Sequence, residues 1–217
     1  MEVADFTVIA AGICFISLSV MLLRAAVKFR PEQASAKGSV VSGIIYAFTF
    51  GMLPGSKESA SQHLLSYLAG IVFHIGIFTA FLFSAIIYLL AKGIIPDLPQ
   101  CVRLIVAGLM AVGLVNGLGL LVKRFINTRL RFISTWDDYF SNIIVNVFLV
   151  LSIILAVQPG NAIFYIMYIF EAGLLLYIPL GKLRHCAYFP ATRIMFGYFY
   201  GYRGVLPAQK NNPDHER

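Results

Sequence analysis

Charge is what this sequence has least of. Only 12% of its residues are Asp, Glu, Lys or Arg, against about 25% in soluble domains. With 59% hydrophobic residues, a water-soluble chain is excluded and an integral membrane protein is expected. Cysteine is also scarce. Cys14, Cys101 and Cys186 are scattered without CxxC spacing, which excludes a disulfide framework and an iron–sulfur or zinc site of the chain's own. Internal repeats, low-complexity tracts and kinase, protease or Walker motifs are missing. The glycine-rich GLMAVGLVNGLG (108–119) is no dinucleotide fingerprint, because no strand precedes it. No nucleic-acid partner is expected.

What is there are long apolar runs. At ~20 residues per span, the 217 residues accommodate one bundle of five spans, at about 6–23, 59–90, 102–122, 139–157 and 163–181. The short, Gly- and Ser-studded stretch 39–54 reads as an interfacial segment. The expected layout is thus one domain over 1–204 and a polar tail over 205–217. The first run is preceded by acidic MEVADFT and followed by no small-residue cleavage site, so it reads as a retained span rather than a signal peptide. Ser134 with Asp137, or Thr135 with Asp138, can cap the fourth span. Of the seventeen basic residues, all but Lys92 and Arg103 fall in the loops after spans one and three or in the C-terminal region. The positive-inside rule therefore sets the N-terminus outside and the C-terminus in the cytoplasm. The expected fold is an all-α, five-helix integral membrane bundle in the inner (cytoplasmic) membrane.

The chain has four histidines. His215 lies in the polar tail. His63 and His74 are eleven residues apart in the second apolar run, which on a helix returns the side chain to within about 20°, roughly 16 Å further along. His185 follows span five in YIPLGKLRHCAYFP. Spans two and five both carry their histidine-bearing ends near the cytoplasm. Two neutral imidazoles on facing helices are the usual clamp for a b-type haem, with Lys182 and Arg184 beside His185 positioned to neutralise propionates. Gly70, Gly76 and Gly173 leave room for a macrocycle. The alternative is three unrelated histidines: one interfacial, one satisfied on its own helix, and one snorkelling.

The motifs FHIGIF (73–78), LVKRFINTRLRFISTWDD (121–138) and YIPLGKLRHCAYFP (177–190), in that order over nearly the whole chain, resemble the gamma (cytochrome b) subunit of respiratory nitrate reductase. They are more similar still to its shorter relatives in heterodisulfide-reductase-like and sulfate-reducer electron-transfer complexes. That family holds two bis-histidine haems, with histidines ten apart in span two and eighteen apart in span five. Here the corresponding positions are Ser84 and Met167. By motif, the resemblance implies one haem b between His74 and His185. Matched by depth instead, His63 pairs with His185, and His74 can pair with Met167 on a second haem, since His/Met ligation is known. One haem is expected and two are allowed.

The resemblance further implies electron exchange between a menaquinone or ubiquinone pool and an iron–sulfur subunit on the cytoplasmic face, the chain being a subunit of an oxidoreductase complex. Glu171 is the only acid within a predicted apolar core, where a carboxylate costs about 2.5 kcal/mol or more. It either shuttles protons for a quinol or is a protonated acid bonded to Asn116 or Asn146. The segment YFPATRIMFGYFYGYRG mixes aromatics with Arg193 and Arg203, as an interfacial belt or a seat for a partner would. The rival functions are a proton- or ion-translocating subunit and a haem-free membrane anchor.

Overall fold

A computed structural model describes residues 3–29, 35–56 and 63–207. Among them all regular structure is helical: α1 Val3–Lys28, α2 Val40–Phe48, α3 Leu64–Ala91, α4 Gln100–Ile126, α5 Thr128–Ile133, α6 Trp136–Val157, α7 Asn161–Tyr177 and α8 His185–Tyr202. Short 3-10 turns lie at Phe50–Met52, Pro54–Ser56 and Lys182–Arg184. Helices α1, α3, α4 and α6 are each long and apolar enough to cross a membrane. Asn161–Tyr177 and Lys182–Tyr202 pass the same test only as a bent pair taken together, so the candidate spans number four, or five if the pair counts as one. At 1.5 Å per residue the 28 residues of α3 reach about 42 Å, beyond a hydrocarbon core of about 30 Å. Large apolar side chains such as Phe15, Phe78, Leu82 and Val115 stand exposed along these helices, a surface suited to lipid. The chain is a multi-pass membrane protein.

The described chain divides into two compact units. One lies within Met1–Ser17 and Leu65–Leu183, the other within Leu18–Leu64 and Arg184–Arg217.

In the first unit α6 is the most enclosed spanning helix, with 44% of its apolar window buried against 17–28% for α1, α3 and α4. Its Phe148 and Leu149 are fully enclosed, as are Phe83, Met110, Met167 and Tyr168 of the other helices, and the rings of Phe81 and Phe148 meet at 4.7 Å. The crossing of α3 and α4 rests on Gly76 against Gly113: a Cβ on either would lie 2.7 Å from the other's Cα. Without a hydrophobic drive between helices in lipid, such backbone approach supplies the packing. One turn on, Gly117 leaves space for the Phe73 ring and Asn146. Gly76 therefore serves a helix crossing and not a macrocycle, whereas Gly70 and Gly173 are open.

The ends of the unit are fastened by polar contacts. At one end Asp5 pairs with Lys92 at 2.9 Å and accepts from Tyr88 at 3.2 Å. This ties the start of α1 to the end of α3. At the other end Lys123 donates to Ser66, joining the end of α4 to the start of α3.

The second unit is built on α2 and α8. Gly43 meets Gly197 and Gly201 so closely that a Cβ on Gly43 would stand 2.3 Å from the Gly197 carbonyl oxygen. The backbone N–H groups of Lys37 and Gly38 donate to Tyr202 O at 3.0 and 3.2 Å, and Gly204 ends the helix at φ +70°, a left-handed position where a β-carbon is strained. The segment anticipated as an aromatic and basic belt is thus a helix. Along it Arg203 lies over the Phe199 ring at 3.6 Å and Arg193 over Phe189 at 5.3 Å.

Candidate functional site

The first unit contains a buried polar chain that joins three helices. Thr7 of α1 donates to the carbonyl of Tyr168 on α7 at 2.9 Å, and the Tyr168 hydroxyl donates to the carbonyl of Ser84 on α3 at 2.7 Å. The Ser84 hydroxyl in turn donates to Glu171 Oε2 at 2.5 Å. Glu171 is 4% exposed. Of its expected partners, Asn116 donates to Val112 O at 2.8 Å and Asn146 to Asn142 O at 2.8 Å. The carboxyl is instead met by Ser84. Thr7 and Tyr168 went unnoticed in the sequence, since a hydroxyl in an apolar run gives no sign of which helix it will face.

His74 is exposed on α3, ten residues past Leu64 and so about 15 Å along the helix. Its Nδ1 lies 2.7 Å from Gly70 O. A carbonyl can only accept, so Nδ1 carries a proton towards it. This second-sphere arrangement is the usual one for an imidazole that ligates a metal. Gly70, one turn earlier, adds no side chain beside it: a Cβ there would meet nothing within 4 Å.

His63 stands in the turn before α3, exposed, so the eleven-residue helical spacing does not carry over to it. His185 opens α8, exposed, just after Arg184, which is also exposed. His74 belongs to the first unit, and His63 and His185 to the second. His215 lies outside the described residues. Met167 is 0% exposed, with its sulfur 3.9 Å from the Ser152 hydroxyl that donates to it; a haem there would require the core around it to open. Among the described residues no group of three or more His, Cys, Asp or Glu side chains is set to hold a metal ion. A haem iron needs only two axial donors from protein, and imidazole nitrogens supply them.

Lys182 takes part in a different structure. Its ammonium pairs with Asp138, and its backbone N–H donates to Asp137 Oδ2 at 2.8 Å. Asp138 also pairs with Arg124 at 3.0 Å and closes a capping box with Thr135. Asp137 accepts from the Tyr177 hydroxyl, which lies 2.9 Å from the Ser141 hydroxyl. One cluster therefore binds the end of α4, the start of α6 and the end of α7. The two acids sit where the positive end of the α6 dipole favours them. The ammonium expected to face a propionate is held by a carboxylate within its own unit.

Compared with models of protein families, with curated proteins and with solved structures, the chain matches none of them.

Proposed function

We propose that the chain is the membrane-embedded b-type cytochrome subunit of a respiratory oxidoreductase, exchanging electrons between a quinone pool and a cytoplasmic iron–sulfur subunit. The observation that carries this reading is His74, an imidazole on the exposed face of an apolar helix long enough to cross a membrane, with its Nδ1 2.7 Å from Gly70 O, the orientation usual for a ring that ligates a metal through its other nitrogen. Ionisable side chains within apolar spans are rare and mark functional sites. His74 and His185 are the proposed axial donors. The chemistry of the donor set, two imidazoles, fits haem b, which when bound would carry single electrons. In the variant reading His63 pairs with His185, and His74 and Met167 are the donors for a second haem. The bundle is proposed to lie in the inner membrane with its N-terminus outside, as the distribution of Lys and Arg supports.

Holding and orienting donors is the chain's own part in this function. The Gly70 carbonyl fixes the His74 ring, and the Asp137, Asp138, Arg124 and Lys182 cluster fixes the end of α7, just ahead of His185. Arg184 remains beside His185 as a cation for a propionate. The test is a reduced-minus-oxidised visible spectrum of the purified protein. A b-type α band is expected, and a colourless protein would overturn the reading. His185→Ala should remove all haem. His63→Ala should leave the haem intact if His74 is the partner and remove it if His63 is.

A second reading has its own support in the buried chain Thr7–Tyr168–Ser84–Glu171. An intramembrane acid hydrogen-bonded across helices is a common element of proton pathways, so a proton-translocating subunit is the alternative. A haem-free protein whose proton flux in vesicles is lost in Glu171→Gln would select it.

A further inference from the structure

At the end of the first unit that carries Asp5 and Lys92, a cleft of about 430 Å³ opens between the end of α3, the start of α4, the end of α6 and the start of α7. That is within the usual range for a small-molecule site, about 300–1,000 Å³. Its walls are apolar, from Ile87, Leu155 and Phe164, and Arg103 lines it as a cation. Arg103 is half-buried, and its enclosed Nε has no hydrogen-bond partner among the described residues. Arg103 forms no ion pair among the described residues, although the neighbouring cation Lys92 is matched by Asp5. A buried N–H donor without an acceptor is an arrangement proteins rarely leave unfilled.

The second polar element of the cleft is the start of α7. Gly160 and Asn161 line it, and the Gly160 cap supplies no side-chain acceptor. The first intrahelical bond there runs from Phe164 N to Gly160 O, so the amides ahead of it have no helical acceptor. Positive charge, amide donors and a slot with apolar walls at the ends of spanning helices form one chemical pattern: an oxyanion head with a hydrocarbon body. Guanidinium matches phosphate by a planar, two-point contact, and helix N-termini favour anions. Tyr165, exposed at the rim, is the kind of amphipathic ring found at headgroup level.

We propose that this cleft binds a phosphate oxyanion, carried on a lipid headgroup or free in solution. The site is independent of haem and stands whether or not the chain is a cytochrome.

The test uses the full chain, delipidated in a neutral maltoside detergent. Phosphatidylglycerol, diacylglycerol with the same acyl chains and inorganic phosphate are each titrated, with occupancy read by native mass spectrometry and thermal unfolding. Phosphatidylglycerol should bind at one per chain and raise Tm, while diacylglycerol does neither. Arg103→Ala should weaken binding by roughly tenfold or more, the usual consequence of losing a charged hydrogen bond, and Arg103→Lys should fall between. Ala91→Trp keeps the cation but fills the cleft, and it should abolish lipid binding; this variant carries the test if Arg103→Ala fails to fold. Binding of inorganic phosphate alone, with the same dependence on Arg103, supports the site and identifies the free anion as its source. Equal binding of diacylglycerol, unchanged affinity in Arg103→Ala, or unchanged affinity in a folded Ala91→Trp protein would overturn the proposal.

Discussion

Ser84 holds two positions in the buried chain, donating to the Glu171 carboxyl and receiving the Tyr168 hydroxyl on its carbonyl. Only the first depends on its side chain, so Ser84→Ala isolates the link to Glu171. The carboxyl would then be buried with one donor fewer, which costs about 1–3 kcal/mol. A corresponding fall in thermal unfolding temperature in detergent is expected, and Glu171→Leu in the Ser84→Ala background should recover part of it. No recovery would show that Glu171 is satisfied elsewhere. The sequence displayed Glu171 plainly as the lone acid in an apolar core. Its partner was hidden, because a serine in a helix can return its hydroxyl to its own backbone as easily as offer it across the bundle.

Among elements, glycines separate into those that meet a backbone and those that meet nothing, and the run of four in α4 contains both kinds. Gly113 faces Gly76 at the α3–α4 crossing, while Gly108 and Gly119 are open. Gly113→Ala should force the helices apart and destabilise the protein by about 1–3 kcal/mol. Gly108→Ala should be neutral or stabilising by up to ~1 kcal/mol, from helix propensity alone. Thermal unfolding of the two variants side by side checks this, and equal effects would contradict the crossing. Spacing by itself could not distinguish them, since all four glycines lie in one apolar helix. Local signals read more truly: Thr135 and Asp138 close the capping box that their spacing allowed. The end of α7 at Tyr177, four residues before the expected limit, follows from Pro179, which lacks the N–H needed to continue. The chain after it, expected as an aromatic interfacial belt or a partner seat, forms α8, whose Gly197-x-x-x-Gly201 spacing matches Gly43 and has meaning only once α2 is beside it.

For the molecule as a whole, composition was a sound guide. Four long apolar helices, with a fifth if α7 and α8 count together, follow from run length alone, and short elements such as α5 do not. The chain should remain in membranes through alkaline carbonate washing and require detergent for release; recovery in the wash would contradict a spanning arrangement. The histidines were equally easy to see, but their assembly was not, because helical periodicity gives the face of a residue and not its neighbour across the bundle. One contact also sets an order in time. Thr7 reaches the carbonyl of a residue 161 positions later. At about 5–20 residues per second of synthesis, α1 waits roughly ten to thirty seconds in the bilayer before its polar partner exists. A ribosome-stalled chain that ends after α6 should therefore still expose the Thr7 hydroxyl and the Ser84 carbonyl, and α7, one of the latest helices made, completes this buried chain.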